Sequence, residues 1–161
     1  MALVTPPPYV APNELITSAW GNAVADGITD LWARHAVRLS DAAQTLNVGS
    51  ATTIAFGTEL QDTDGFHAPG SASIIVPNTD LAGLYVITAR FVRSAGNWSG
   101  GWVAISIDGV LYEFGPPATS IGTVTVVAQL DSGDVVQAVC FSSATAATVD
   151  TSLVMARLPV A

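Results

Sequence analysis

Tyr85-Val86-Ile87-Thr88-Ala89-Arg90-Phe91 alternates Tyr85, Ile87, Ala89 and Phe91 against the residues between them. Side chains on a strand point to opposite faces in turn, so this period of two places those four residues on the buried side of a sheet. The reading extends in both directions. Ile105-Ser106-Ile107-Asp108-Gly109 is a strand running into a tight Asp-Gly turn, and Leu130-Asp131-Ser132-Gly133-Asp134 is a second turn between two apolar strands. Gly133 is free to take positive φ there. Candidate strands are 36–39, 51–56, 73–76, 85–92, 102–107, 110–114, 124–130, 134–141 and 148–158. Strands of this number and spacing predict an all-β sandwich or jelly roll. No repeat of solenoid length is evident, which argues against a propeller or β-helix.

Upstream of Ala36 the pattern changes. Ile16, Trp20, Val24, Ile28 and Leu31 recur at steps of four, four, four and three, laying one apolar stripe on a helix of 3.6-residue period. Thr17 and Asn13 are its candidate N-caps. Gly21 and Gly27 each weaken such a helix by about 1 kcal/mol, so the stripe needs something to pack on. Before it, Pro6, Pro7 and Pro8, with Pro12, favour polyproline II. This stretch is either a disordered arm or an extended segment ordered by a partner, with Tyr9 and Val10 as anchors. The expected organisation is an arm over 1–12, a short helix and linker over 13–41, and a head domain over 42–161.

Composition narrows the function classes. The 161 residues carry 5 arginines and no lysine against 13 carboxylates, a formal charge of −8. That balance offers no footprint for a phosphate backbone, so no nucleic-acid partner is expected. No apolar run approaches the roughly 20 residues of a membrane span, and no basic n-region or h-region marks a signal peptide. With 50% hydrophobic and 11% charged residues, the chain reads as folded, with apolar surface to place in a core or against neighbouring subunits. The single cysteine, Cys140, makes no intrachain disulfide.

Chemistry-bearing residues are few. His67 follows Asp62-Thr63-Asp64-Gly65-Phe66, near Glu59, but the nucleophile elbow and strand-to-helix context of a hydrolase are missing, so no catalysis is expected. Asp62 and Asp64 on a turn offer oxygen ligands for Ca²⁺ but lack the rest of a binding loop, and turn chemistry alone explains them; no metal or cofactor is expected. Trp98 lies among Gly96, Gly100 and Gly101, a loop setting in which the ring either packs over the sandwich end or stands out as a carbohydrate or protein contact. Arg90, Arg93 and Arg157 are either solvated or paired with carboxylates across subunits.

Four stretches together resemble the tail, fibre or decoration proteins of tailed bacteriophages whose C-terminal domain is similar to the complement globular head and to tumour necrosis factor. They are Leu15–Asn22, Phe56–His67 leading to Ile74–Pro77, Gly83–Ile87, and Leu130–Val136 with Ser152–Leu158. The resemblance implies a ten-stranded jelly-roll sandwich that forms homotrimers, preceded by the extended arm and one short α-helix. In such a trimer Tyr85, Phe91, Tyr112 and Phe141 are candidates for the core or for the threefold axis. It also implies a non-enzymatic virion protein, attached to a major capsid or tail protein through Pro6–Val10 and displayed on the virion surface. The alternative is a receptor- or glycan-binding module at a tail or fibre tip, using Trp98.

Overall fold

The computed structural model describes residues 35–96, 101–115, 120–143 and 147–158. Ten strands run in chain order: β1 (Ala36–Leu46), β2 (Ala51–Thr53), β3 (Thr58–Asp62), β4 (Ile74–Ile75), β5 (Gly83–Gly96), β6 (Trp102–Ile107), β7 (Val110–Phe114), β8 (Ile121–Leu130), β9 (Val135–Phe141) and β10 (Ala147–Arg157). A short 3-10 turn, Thr79–Leu81, capped by the Asn78 side chain, precedes β5. One sheet has the order β3-β1-β10-β5-β8, and the other runs β2-β9-β6-β7 with β4 also paired to β9. All pairings between these strands are antiparallel. The fold is therefore an all-β, ten-stranded jelly-roll sandwich.

Alternation along the strands builds the core. Val37 and Leu39, Tyr85, Ile87, Ala89 and Phe91, Val124, Val126 and Ala128, and Val149, Leu153 and Met155 point inward from the first sheet. Val103 and Ile105, with Val136, Ala138 and Cys140, meet them from the second. Phe66 packs edge-on against Tyr85, with ring centroids 6.1 Å apart. Full burial of each large apolar side chain contributes about 1.5–3 kcal/mol relative to exposure, which is why the alternating positions hold the register.

Differences from the sequence expectation have local causes. The strand expected over 36–39 continues to Leu46, so residues 36–41 lie within the sheet; a register shift between Asp41 and Gln44 carries it past Ala43, at φ 59°. Asp41 accepts the Ala42 N–H and the Gln44 amide, and Asp150 accepts the Ala43 N–H, so side chains satisfy what the ladder leaves open there. Strand β3 does not show in the periodicity, because none of its side chains is fully buried and it has no alternation. It is an edge strand with a register shift at its pairing to β1, an irregularity that blunts further strand pairing. The segment expected as strand over 51–56 pairs only through Thr53, and Ile54 and Phe56 enter the core from irregular backbone.

Candidate functional site

Among the described residues, the outer face of the β3-β1-β10-β5-β8 sheet exposes apolar side chains that the core does not take up, as does Val110-Leu111-Tyr112 on β7. Register places the side chains of that sheet face in rows across β1, β10, β5 and β8. The first row is Ala36, Ala156, Val86 and Val127; the second is Arg38, Val154, Thr88 and Thr125. The third is Ser40, Ser152, Arg90 and Thr123, and the fourth is Asp150, Val92 and Ile121. Ile121 and Val127 are 54% and 52% exposed, and Val154 is exposed as well. The Thr88 and Thr125 hydroxyls bond each other at 3.0 Å. Within these rows the charged residues are Arg38, Arg90 and Asp150 alone. The face thus carries exposed β-branched side chains among hydroxyls and few charges.

The sequence places Tyr85 and Phe91 at the core or at an axis, and both are fully buried between the sheets. Phe141 instead stacks on Trp102 across the β6–β9 pairing of the second sheet, centroids 5.3 Å apart and planes 10° from parallel. Tyr112 is exposed on the edge strand β7. The outer-face residues Val86, Val127, Val154 and Ala156 were missed as a group. Their signal was the other half of the alternation, in which valine and alanine stand among threonine and serine.

The segment around His67 is a structural clamp. Asp62 Oδ1 accepts the N–H groups of Asp64, Gly65 and Phe66, and Oδ2 accepts that of His67. Gly65 sits at φ 74° in this turn. Asp64 Oδ2 faces His35 Nδ1 at 2.9 Å and accepts from the Thr63 hydroxyl. These contacts turn Asp62 toward the backbone and Asp64 toward His35, away from a shared cation. Among the described residues no group of three or more His, Cys, Asp or Glu is placed to hold a metal ion. The His67 ring is buried, with Glu59 Oε2 3.4 Å from Nδ1 and the Ser71 carbonyl 3.2 Å from Nε2, so both ring nitrogens face structural partners and neither faces a serine hydroxyl.

Arg157 is held within its own chain. Its guanidinium donates to the carbonyls of Asp80 and Ala82 at the end of the 3-10 turn, while Nε has no partner. Gly83 lets it pass, since a Cβ there would meet Arg157 Nε at 2.6 Å. Burial raises the Tyr85 phenol above its ordinary value, against the opposing effect of nearby Arg157, and its hydroxyl donates to the Leu81 carbonyl. Burial also pushes the Cys140 thiol up to about 12. The arm residues Pro6, Pro7, Pro8, Tyr9 and Val10, the stripe Ile16, Trp20, Val24, Ile28 and Leu31, and Trp98 lie outside the described residues.

No family model matches the sequence, and no curated protein matches it. Solved structures do. The globular domain of zebrafish complement 1qA protein aligns with a TM-score of 0.60 at 9% identity, covering 80% of this chain and all of that domain (100%). Murine APRIL, in a crystal structure at pH 8.0, aligns with a TM-score of 0.55 at 15% identity, covering 76% of this chain and 98% of that one. At such identities the likeness is one of architecture, and the fold is the jelly roll of the complement-head and tumour-necrosis-factor type.

Proposed function

We propose that this chain is a non-enzymatic structural protein of a tailed bacteriophage, in which three copies associate through their jelly-roll heads. The N-terminal arm, through Pro6–Val10, attaches the trimer to a capsid or tail protein and the head is displayed on the virion surface. One observation carries the oligomeric part: the outer face of the β3-β1-β10-β5-β8 sheet exposes Val127, Ile121 and Val154 among small and hydroxyl side chains, a surface that association would remove from water. The virion part rests on the resemblance of the four sequence stretches.

The mass of the full chain in solution, measured by light scattering, tests association, with three copies expected and a monomer overturning it. Deleting residues 1–12 tests attachment. The trimer mass is expected to persist while co-sedimentation with purified particles is lost, and retained co-sedimentation rules out the arm as the anchor.

A further inference from the structure

The two histidines of this chain both face carboxylates, and among the described residues these contacts are its ion pairs: His35–Asp64 at 2.9 Å and His67–Glu59 at 3.4 Å. Their chemistry differs. The described acceptor of the His35 ring lies at Nδ1, and a neutral ring protonated there still serves it. His67 faces an acceptor at each nitrogen, Glu59 Oε2 at Nδ1 and the Ser71 carbonyl 3.2 Å from Nε2. A carboxylate and a carbonyl accept but do not donate, so only the doubly protonated ring bonds both. A proton on Glu59 instead of the ring satisfies the same contacts, so the site needs one titratable proton held by the pair. The His67 side chain is fully buried, and water does not replace a partner lost there.

The segments that the ring joins belong to opposite sheets. Strand β3 is an edge of the β3-β1-β10-β5-β8 sheet, and Glu59 lies opposite the inward-facing Leu39 in its register with β1. Ser71 leads into β4, which pairs with β9 of the other sheet, and His67 itself bridges to Ile74. The two acceptors are not held equally. The Ser71 carbonyl is fixed by also accepting the Phe56 N–H, whereas the Glu59 side chain is partly exposed and can turn toward water. Other charges nearby are already engaged or face away. Asp62 accepts four backbone N–H groups, Asp64 faces His35, and Asp41 on β1 accepts the Ala42 N–H and the Gln44 amide. Arg38 lies on the opposite face of β1, and residues 68–75 contain no titratable side chain.

We propose that His67 and Glu59 form a proton-operated staple across one edge of the sandwich. With its proton the pair ties β3 to the segment entering β4. When the proton leaves, the ring keeps its bond to the fixed Ser71 carbonyl, Glu59 turns to water, and β3 loosens. The closed edge therefore holds the proton more tightly than the open one, so closure is favoured at low pH and lost as pH rises. Strand β3 responds first because none of its side chains is fully buried and its pairing with β1 already contains a register shift. Its release uncovers the edge of β1, whose backbone groups are then open to pairing with another extended segment.

Amide hydrogen exchange of the full chain between about pH 5 and 8, the span in which histidine commonly changes charge, tests this. Protection of the Thr58–Asp62 amides, corrected for the intrinsic pH dependence of exchange, is expected to fall at least about tenfold relative to β5 as pH rises. Protection that stays level overturns the staple. Glu59→Gln is expected to abolish the pH dependence, because an amide can turn its donor to a neutral ring and needs no proton from solution. Persistence of the dependence in that variant overturns the pair. His35→Gln is expected to leave it in place; its loss there assigns the switch to the His35–Asp64 contact and overturns the proposal. A last readout needs no substitution. The ¹⁵N shifts of the His67 ring report its protonation, and their midpoint is expected to coincide with that of β3 protection, whereas separate midpoints overturn the coupling.

Discussion

Four consecutive amides, from Asp64 to His67, converge on the Asp62 carboxylate, which does the work of a strand partner where no strand can reach. Removing it orphans all four donors at once. Some are exposed and water replaces the lost acceptor; Phe66 and His67 are buried, so their amides bear most of the penalty. Asp62→Ala is therefore expected to cost about 2–4 kcal/mol, against about half that for Asp62→Asn, which keeps one acceptor oxygen. Calorimetry reads this as a fall in Tm of roughly 3–5 °C per kcal/mol for a domain of this size. An unchanged Tm for Asp62→Ala means that the loop is held by other contacts. Asp-Thr-Asp-Gly was legible as a turn because its signals are adjacent in sequence. The partner that draws Asp64 away from a cation, His35, lies 29 residues upstream, and nothing local announces it.

At the scale of elements, the β6–β7 hairpin shows why some strands could be read and others could not. Ile107 and Val110 pair across a two-residue loop with both Asp108 (φ 52°) and Gly109 (φ 77°) left-handed, the geometry of a type I′ turn. Asp108 is further fixed by donating its N–H to the Val135 carbonyl and accepting the Val135 N–H on its carboxylate. Gly109→Val is expected to cost about 1–2 kcal/mol, because a β-branched residue resists positive φ, whereas Gly109→Asn costs a few tenths. The midpoint of urea unfolding measures both, and equal midpoints for the two variants contradict the strain account. The flanking strands were legible because burial on one face enforces their period. Strands β2 and β4 were read within longer candidates, 51–56 and 73–76, and only their extent differs, whereas β3 gave no alternation because it lies at an edge with no fully buried side chain.

For the whole molecule, the two sheets share one core, and the alternating pattern announced that architecture before any pairing was known. The outer face of the β3-β1-β10-β5-β8 sheet was harder to read. Alternation marks which residues face outward but not which strands lie side by side, and the rows joining Ala36 to Val127 need all four strands in order. Cys140 reports on the closed sandwich. It points into the core from β9, and burial raises its thiol from the ordinary value of 9.0 to about 12. In the unfolded chain the thiol ionises from about pH 9, while in the folded chain it stays neutral, so the raised value belongs to a stabilising term that is complete below pH 9 and lost as pH climbs toward 12. Folding stability is expected to fall by up to about 1.4 kcal/mol per pH unit across that window from this group. The Tyr85 phenol, also raised by burial, adds loss of the same sign above pH 10.0. Subtracting the profile of Cys140→Ala from that of wild type isolates the thiol: the difference is expected to narrow as pH rises from 9 to 12. A constant difference over that range contradicts the sealed-core account, as does rapid reaction of the native thiol with a soluble probe at about pH 8, because either requires water to reach Cys140 while the sheets are still closed.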